Sequence, residues 1–181
     1  MLKNFIAISL YACVIGLSPG ISSALASSSK LDALFDSLKN APDETTAREV
    51  ESKIWISWLT SESSEIDHLM QQAVDKRKSY DFNGALTLLN QVIAIVPGYS
   101  EAWNQRATVY FHQSEHEKSL EDIARTLELE PRHFGALAGR AVIRLQQGKP
   151  ALGLQNVLEA MKYHPYLKER AFFPSLTSET R

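Results

Sequence analysis

His112-Gln113-Ser114-Glu115-His116 is the stretch of this chain whose residue types and spacing could build a metal centre. In an H-x-x-E-H pattern, two imidazoles one helical turn apart can hold Zn2+, and the Glu between them can act as a base. That chemistry requires one unbroken helix through all five residues. The other reactive types are scattered. His68, His133 and His164 stand alone and read as capping or surface groups. The single Cys, Cys13, lies in an apolar run near the N-terminus, so the chain has no disulfide framework of its own. No G-x-S-x-G marks a nucleophilic Ser, and no Gly-rich phosphate loop is present. Gly135 and Gly139 fall inside a helical pattern and read as close-packing sites. Trp55, Trp58 and Trp103 occupy apolar helical positions and read as core. No catalytic residue, metal or cofactor is expected.

Any such site depends on the elements that position it. The 181 residues are 44% hydrophobic and 22% charged, with 19 Lys and Arg against 21 Asp and Glu. That near balance argues against a chain that coats nucleic acid, and the composition is that of a globular domain with a sizeable core. Residues 1–26 read as a secretory signal. Lys3 precedes an uncharged run from Phe5 to Leu17, Ser18-Pro19-Gly20 breaks the helix, and Ala24-Leu25-Ala26 sets a cut before Ser27. The apolar run is short for a bilayer span. A periplasmic or secreted protein is expected, with no stable membrane insertion after cleavage.

A fixed period organises residues 66–167, or 102 of the 155 that would follow the cut. Pro97, Pro131 and Pro165 are spaced by 34 residues, as are Ala73, Ala107 and Ala141, and Leu86, Leu120 and Leu154. The units are 66–99, 100–133 and 134–167. Each reads as two helices with apolar residues at helical spacing, separated by a polar break and stopped by the Pro. The period puts His112 at the end of one helix and His116 in or beyond the turn, which removes the zinc reading of this His pair. The small Ala column lets the helices of each hairpin approach closely.

Period and columns together resemble the tetratricopeptide repeat, whose pattern runs W-x2-L-G-x2-Y, A-x3-F, P. Trp103, Arg106, Ala107, Tyr110, Ser119, Ile123 and Pro131 fill these positions in the second unit. The first carries Leu69, Ala73, Ala85, Leu89 and Pro97; the third carries Leu137, Ala141, Gly153, Val157 and Pro165. Gln72, Arg106 and Arg140 replace the family's Leu, and Lys76 and Arg144 its Tyr. The resemblance implies an all-α, right-handed α-solenoid of three helix hairpins. Residues 27–65 are expected to add two leading helices, covering the open end of the array. Pro42-Asp43 can cap the second of them, and Ser64 with Asp67 suggests a cap for the first repeat. Residues 168–181 should form a short cap and tail, with Leu167, Phe172 and Phe173 covering the far end.

The family's geometry implies a concave groove lined by the first helix of each repeat, holding a protein or peptide partner and no nucleic acid. On that geometry the groove takes Met70, Val74 and Arg77, then Asn104, Thr108 and Phe111, then Ala138, Val142 and Leu145. The lysines and asparagines of the family's carboxylate clamp are missing, since Met70, Val74, Gln105, Gly135 and Gly139 stand in their places. Six acids between Glu115 and Glu130 precede a stretch from Pro131 to Leu158 that holds Arg132, Arg140, Arg144 and Lys149 and no acid. The bland reading is complementarity between the second and third repeats; the alternative is an anionic partner on Arg140 and Arg144. The functional expectation is a non-enzymatic scaffold or adaptor of the cell envelope. The alternative is an envelope enzyme or accessory subunit whose site the sequence does not reveal.

Overall fold

The computed structural model describes residues 19–174. The helices are α1 Pro19–Lys39, α2 Glu44–Leu59, α3 Ser64–Lys78, α4 Phe82–Ile95, α5 Ser100–His112, α6 His116–Leu129, α7 Phe134–Gln146 and α8 Pro150–Met161, followed by a 3-10 turn at Lys168–Phe172. Among the described residues there is no strand, and no helix is long and apolar enough to cross a membrane. The expected signal segment lies outside the described residues up to Ser18. Pro19 stands at the first position of α1, where a missing N–H costs nothing, and the expected cut after Ala26 falls within this helix.

Local chemistry sets the boundaries. Asp43 caps α2 by accepting from the Thr46 N–H at 2.7 Å. Ser63, not Ser64, caps α3, and Asp67 instead accepts from the Ser61 N–H at 2.6 Å. Lys76, Arg77 and Lys78 meet the negative end of the α3 dipole. Each repeat hairpin turns through one left-handed residue, at Tyr80 (φ 63°), Ser114 (φ 61°) and Gly148 (φ 70°), again spaced by the repeat period. The following N–H reaches back to Lys76, Tyr110 and Arg144 carbonyls at 2.9 Å, so all three helices end in the same C-terminal motif.

α3–α4, α5–α6 and α7–α8 form the three stacked hairpins. Arg106 ties the second to the first: its guanidinium donates twice to Asp122 at 2.7 Å, once to Asn90 Oδ1 at 2.7 Å, and lies over the Trp103 ring. This is what the Arg in the family's Leu position does.

The leading hairpin does not cover the open end of the array. Phe35 and Leu38 of α1 and Ala47, Val50, Ile54 and Trp58 of α2 are buried in one cluster with Phe134, Leu137, Ala138, Ala141 and Val157 of the third repeat. The pair folds back over the first-helix face of the array and seats on α7. Arg132 fastens it by donating to Asp32 at 2.6 Å while lying over the Phe35 ring. The Tyr166 hydroxyl donates to the Pro42 carbonyl at 3.2 Å. At the far end, Leu167 and Phe173 are buried, but Phe172 is exposed.

Candidate functional site

The seat of the leading hairpin leaves part of the first-helix face open. A cleft of about 500 Å³ remains between α2, α5, α7 and the C-terminal turn, within the size range of ligand and peptide-side-chain pockets. Trp55 and Glu51 form its α2 wall; Asn104, Gln105, Thr108 and Phe111 come from α5; Ala138, Gly139 and Val142 come from α7. Arg77 enters from α3, and Lys168 and Glu169 stand at the C-terminal turn.

Gly135 is what allows α2 this close. A Cβ there would stand 2.5 Å from the Trp55 ring. Trp55 in turn donates its indole N–H to Glu51 Oε1 at 3.1 Å. Glu51 Oε2 lies 3.3 Å from His164 Nε2. The His164 hydrogen bond, outweighing burial, holds the Glu51 carboxyl below the usual Glu range, with help from Trp55 and Lys168. Thus Trp55 is a half-buried cleft wall rather than core, and His164 is buried rather than a surface group.

Beneath the cleft floor lies a buried polar chain. Glu101 is fully buried. Its Oε2 accepts from His133 Nε2 at 2.9 Å and Asn104 Nδ2 at 3.1 Å, and its Oε1 accepts from Gln105 Nε2 at 2.6 Å. His133 also caps α7, its Nδ1 accepting from the Ala136 N–H at 3.1 Å. An Nδ1 that accepts leaves the ring proton on Nε2, which fits donation to Glu101. Gln105 passes the chain on, its Oε1 accepting from Arg77 Nε at 3.1 Å.

The residues expected in the groove therefore separate into two sets. Arg77, Asn104, Thr108, Phe111, Ala138 and Val142 share the cleft. Met70 and Val74 are buried, Met70 within the core of the first repeat and the face of α5 that packs on it. Leu145 packs against the cluster that holds the leading hairpin. Asn104 gives one amide N–H to Glu101, which leaves its second N–H and its Oδ1 for other partners.

Arg140 and Arg144 do not line the cleft. Arg140 turns to its own hairpin partner α8, 3.5 Å from Glu159, and Arg144 donates to Gln147 at 2.9 Å. The anticipated charge complementarity between the second and third repeats is likewise absent from the described ion pairs. Glu115 pairs with Lys118 and Glu128 with Arg125 inside α6 or its cap, because these acids lie on its exposed face. Glu130–Arg132, at 2.9 Å, also stays within the second unit, in the turn that follows α6.

His112, at the end of α5, stacks on Phe82, and His116, at the start of α6, stacks near Phe111. The left-handed Ser114 separates the two helices. Among the described residues no group of three or more ligand-type side chains converges on a metal position.

No family model matches the chain. A TPR repeat-containing protein of Rhizobium etli is 40% identical over 129 residues, covering 70% of this chain and 62% of its own. The DnaJ homolog subfamily C member 3 of Bos taurus is 26% identical over 137 residues, covering 74% of this chain and 26% of its own. The chain thus spans less than two thirds of either relative. Among solved structures, MamA matches with a TM-score of 0.52 at 17% identity, over 82% of this chain and 96% of its own. The P58(IPK) TPR domain matches with a TM-score of 0.53 at 24% identity, over 85% of this chain and 43% of its own. At these identities the structural likeness concerns the fold.

Proposed function

We propose that this chain, a tetratricopeptide-repeat protein, works as a non-enzymatic interaction module that holds a peptide segment of a protein partner in the cleft between α2, α5 and α7. The fold is that of a protein–protein interaction scaffold. The observation that carries the finer reading is the cleft itself, open to solvent and walled by Trp55, Phe111 and Val142 over a floor of amides. Aromatic walls and side-chain amides suit a peptide, which offers apolar side chains and a backbone that both donates and accepts. The partners of Glu51, the acid of the α2 wall, hold its carboxyl below the usual Glu range, the opposite direction from the one a general acid at neutral pH needs.

The reading includes export to the periplasm or beyond, with the mature chain starting at Ser27. Photo-crosslinking tests the binding part. A benzophenone amino acid at Val142 should capture a partner in the envelope fraction, whereas one at Leu152, exposed on α8, should not. Equal capture from both positions, or capture from Leu152 alone, removes the cleft as the site. N-terminal sequencing of the same material checks export, and a chain still starting at Met1 overturns it.

A further inference from the structure

Arg77 is held in the cleft by an amide oxygen rather than a carboxylate, as Arg144 is outside it. Arg48, Arg106, Arg125, Arg132 and Arg140 each meet a carboxylate. Arg77 does not. Its Nε donates to Gln105 Oε1, and among the described residues its two terminal nitrogens have no partner. Glu101, the nearest acid in the chain of contacts, is fully buried and already accepts from His133, Asn104 and Gln105. Gln105 stands between them. Glu101 therefore acts as a pedestal: it fixes Gln105, whose oxygen fixes Arg77 Nε, and the guanidinium fork is left to face the cleft. Burial lowers the Arg77 pKa from its ordinary value, and the attraction of Glu101 only partly opposes this. A cation so placed lacks compensating charge. The cleft's other cation, Lys168, is exposed and lies 3.9 Å from Glu169.

We infer that Arg77 receives an Asp or Glu side chain of the bound peptide, with an apolar neighbour of that acid lying against Phe111, Gly139 and Val142. The inference rests on the peptide-binding reading of the cleft and names the chemistry of the partner at that site. With Nε engaged, the two terminal nitrogens still present one planar edge that matches a carboxylate in bidentate fashion. The pocket beyond it has small and apolar walls, and α7 offers no Cβ at Gly139. The acid is a side chain within the segment, so a free C-terminus is not required.

The test begins with random peptides displayed on phage and selected on the full chain. Selected sequences are then made as synthetic peptides with acetylated and amidated ends. An Asp or Glu should be enriched next to an apolar residue. Arg77→Gln, which can keep an N–H donor at the place of Nε but lacks the terminal fork, should weaken binding about tenfold to a hundredfold at an unchanged melting temperature. Arg144→Gln should leave affinity as it was. Replacing the acid of the peptide by its amide should weaken binding to the wild type and make little further difference to Arg77→Gln, the signature of a direct pair. Gly139→Leu and Val142→Gln, which alter the apolar wall, separate the carboxylate assignment from the cleft as such. Peptides that lose affinity on these changes but bind Arg77→Gln as tightly as the wild type overturn the carboxylate assignment and leave the cleft standing. Peptides indifferent to all three changes, or an absence of selected peptides, overturn both.

Discussion

The Trp58 indole lies flat on the His133 imidazole, with ring centroids 3.9 Å apart and planes 7° from parallel. The contact joins the last turn of α2 to the cap of α7, residues far apart in sequence, and it is the centre of the seat that closes one side of the cleft. Trp58→Ala should cost about 3–5 kcal/mol, measured by chemical denaturation. Trp58→Phe should cost less than about 1.5 kcal/mol, since it keeps a ring and removes an indole N–H that is buried without a partner. Equal losses for both would mean that the stacked ring is not what holds α2.

Glu101 supports the same region from below. Glu101→Ala would strand the His133 Nε2–H and the amides of Asn104 and Gln105 in the interior. The expected loss exceeds about 3 kcal/mol. Glu101→Gln should cost about 1–3 kcal/mol, because one end of the new amide is a donor facing donors. Urea unfolding of the three proteins decides this, and indifference to both changes would remove Glu101 as the pedestal.

The repeat period made the three hairpins legible, because each must place the same small, apolar and Pro residues at the same points of the same turn. It also fixed which α5 and α7 positions face inward, and so Asn104, Thr108, Phe111 and Val142. The seat of the leading hairpin was not legible. The stripe of Phe35, Leu38, Ile54 and Trp58 says that a face is buried but not which apolar surface receives it. The chain offered two, the end of the array and the inner face of α7. Glu51, Trp55 and Glu169 were missed as cleft residues for the same reason: they come from segments outside the period. Glu101 was missed because an acid in the first turn of a helix reads as an ordinary partner of the dipole. Its burial follows from His133, at the other end of the same unit. Met70 and Val74 do not line the cleft: both are buried, and Met70 packs on α5 of the next hairpin.

Gly135 and Gly139 lie one turn apart on α7 but should respond oppositely to alanine. At Gly135 the new Cβ would meet Trp55, which is wedged against Trp58, His133 and Phe134, and overpacking should cost about 1–3 kcal/mol. At Gly139 the Cβ makes ordinary contact with Ile123 at 3.6 Å. Gly139→Ala should stabilise the protein by roughly 0.5–1 kcal/mol through helix propensity. Thermal melts of the two variants should move in opposite directions.

The left-handed turn residues give a second matched pair. Ser114→Gly should raise stability by up to about 1 kcal/mol, since Gly adopts φ 61° without steric penalty. Gly148→Ala should lower it by about 1–2 kcal/mol, although open space surrounds that position. Losses of equal size in both variants would show that backbone conformation is not the deciding factor.

The contact of Glu51 with His164 makes the α2 seat sensitive to acid. His164 lowers the folded pKa of Glu51 below its ordinary 4.5, as do Trp55 and the Lys168 charge, while burial acts against them. A depressed carboxyl pKa adds stability that is present above the unfolded value of 4.5 and is lost as pH falls through the folded one. Asp43, Glu44 and Asp81 are also shifted down by their partners, so the wild-type acid limb is shared among several groups. The difference between wild type and Glu51→Gln isolates the contribution of Glu51. Urea midpoints taken from pH 7 downward should show the variant less stable at neutral pH, with the gap closing only below about pH 4.5. A gap that stays constant into the acid range would mean that the Glu51 charge contributes nothing to the seat. Tryptophan fluorescence offers a local readout, because Trp55 donates to this carboxylate. Its change should follow the same acid window in the wild type and be absent from the variant.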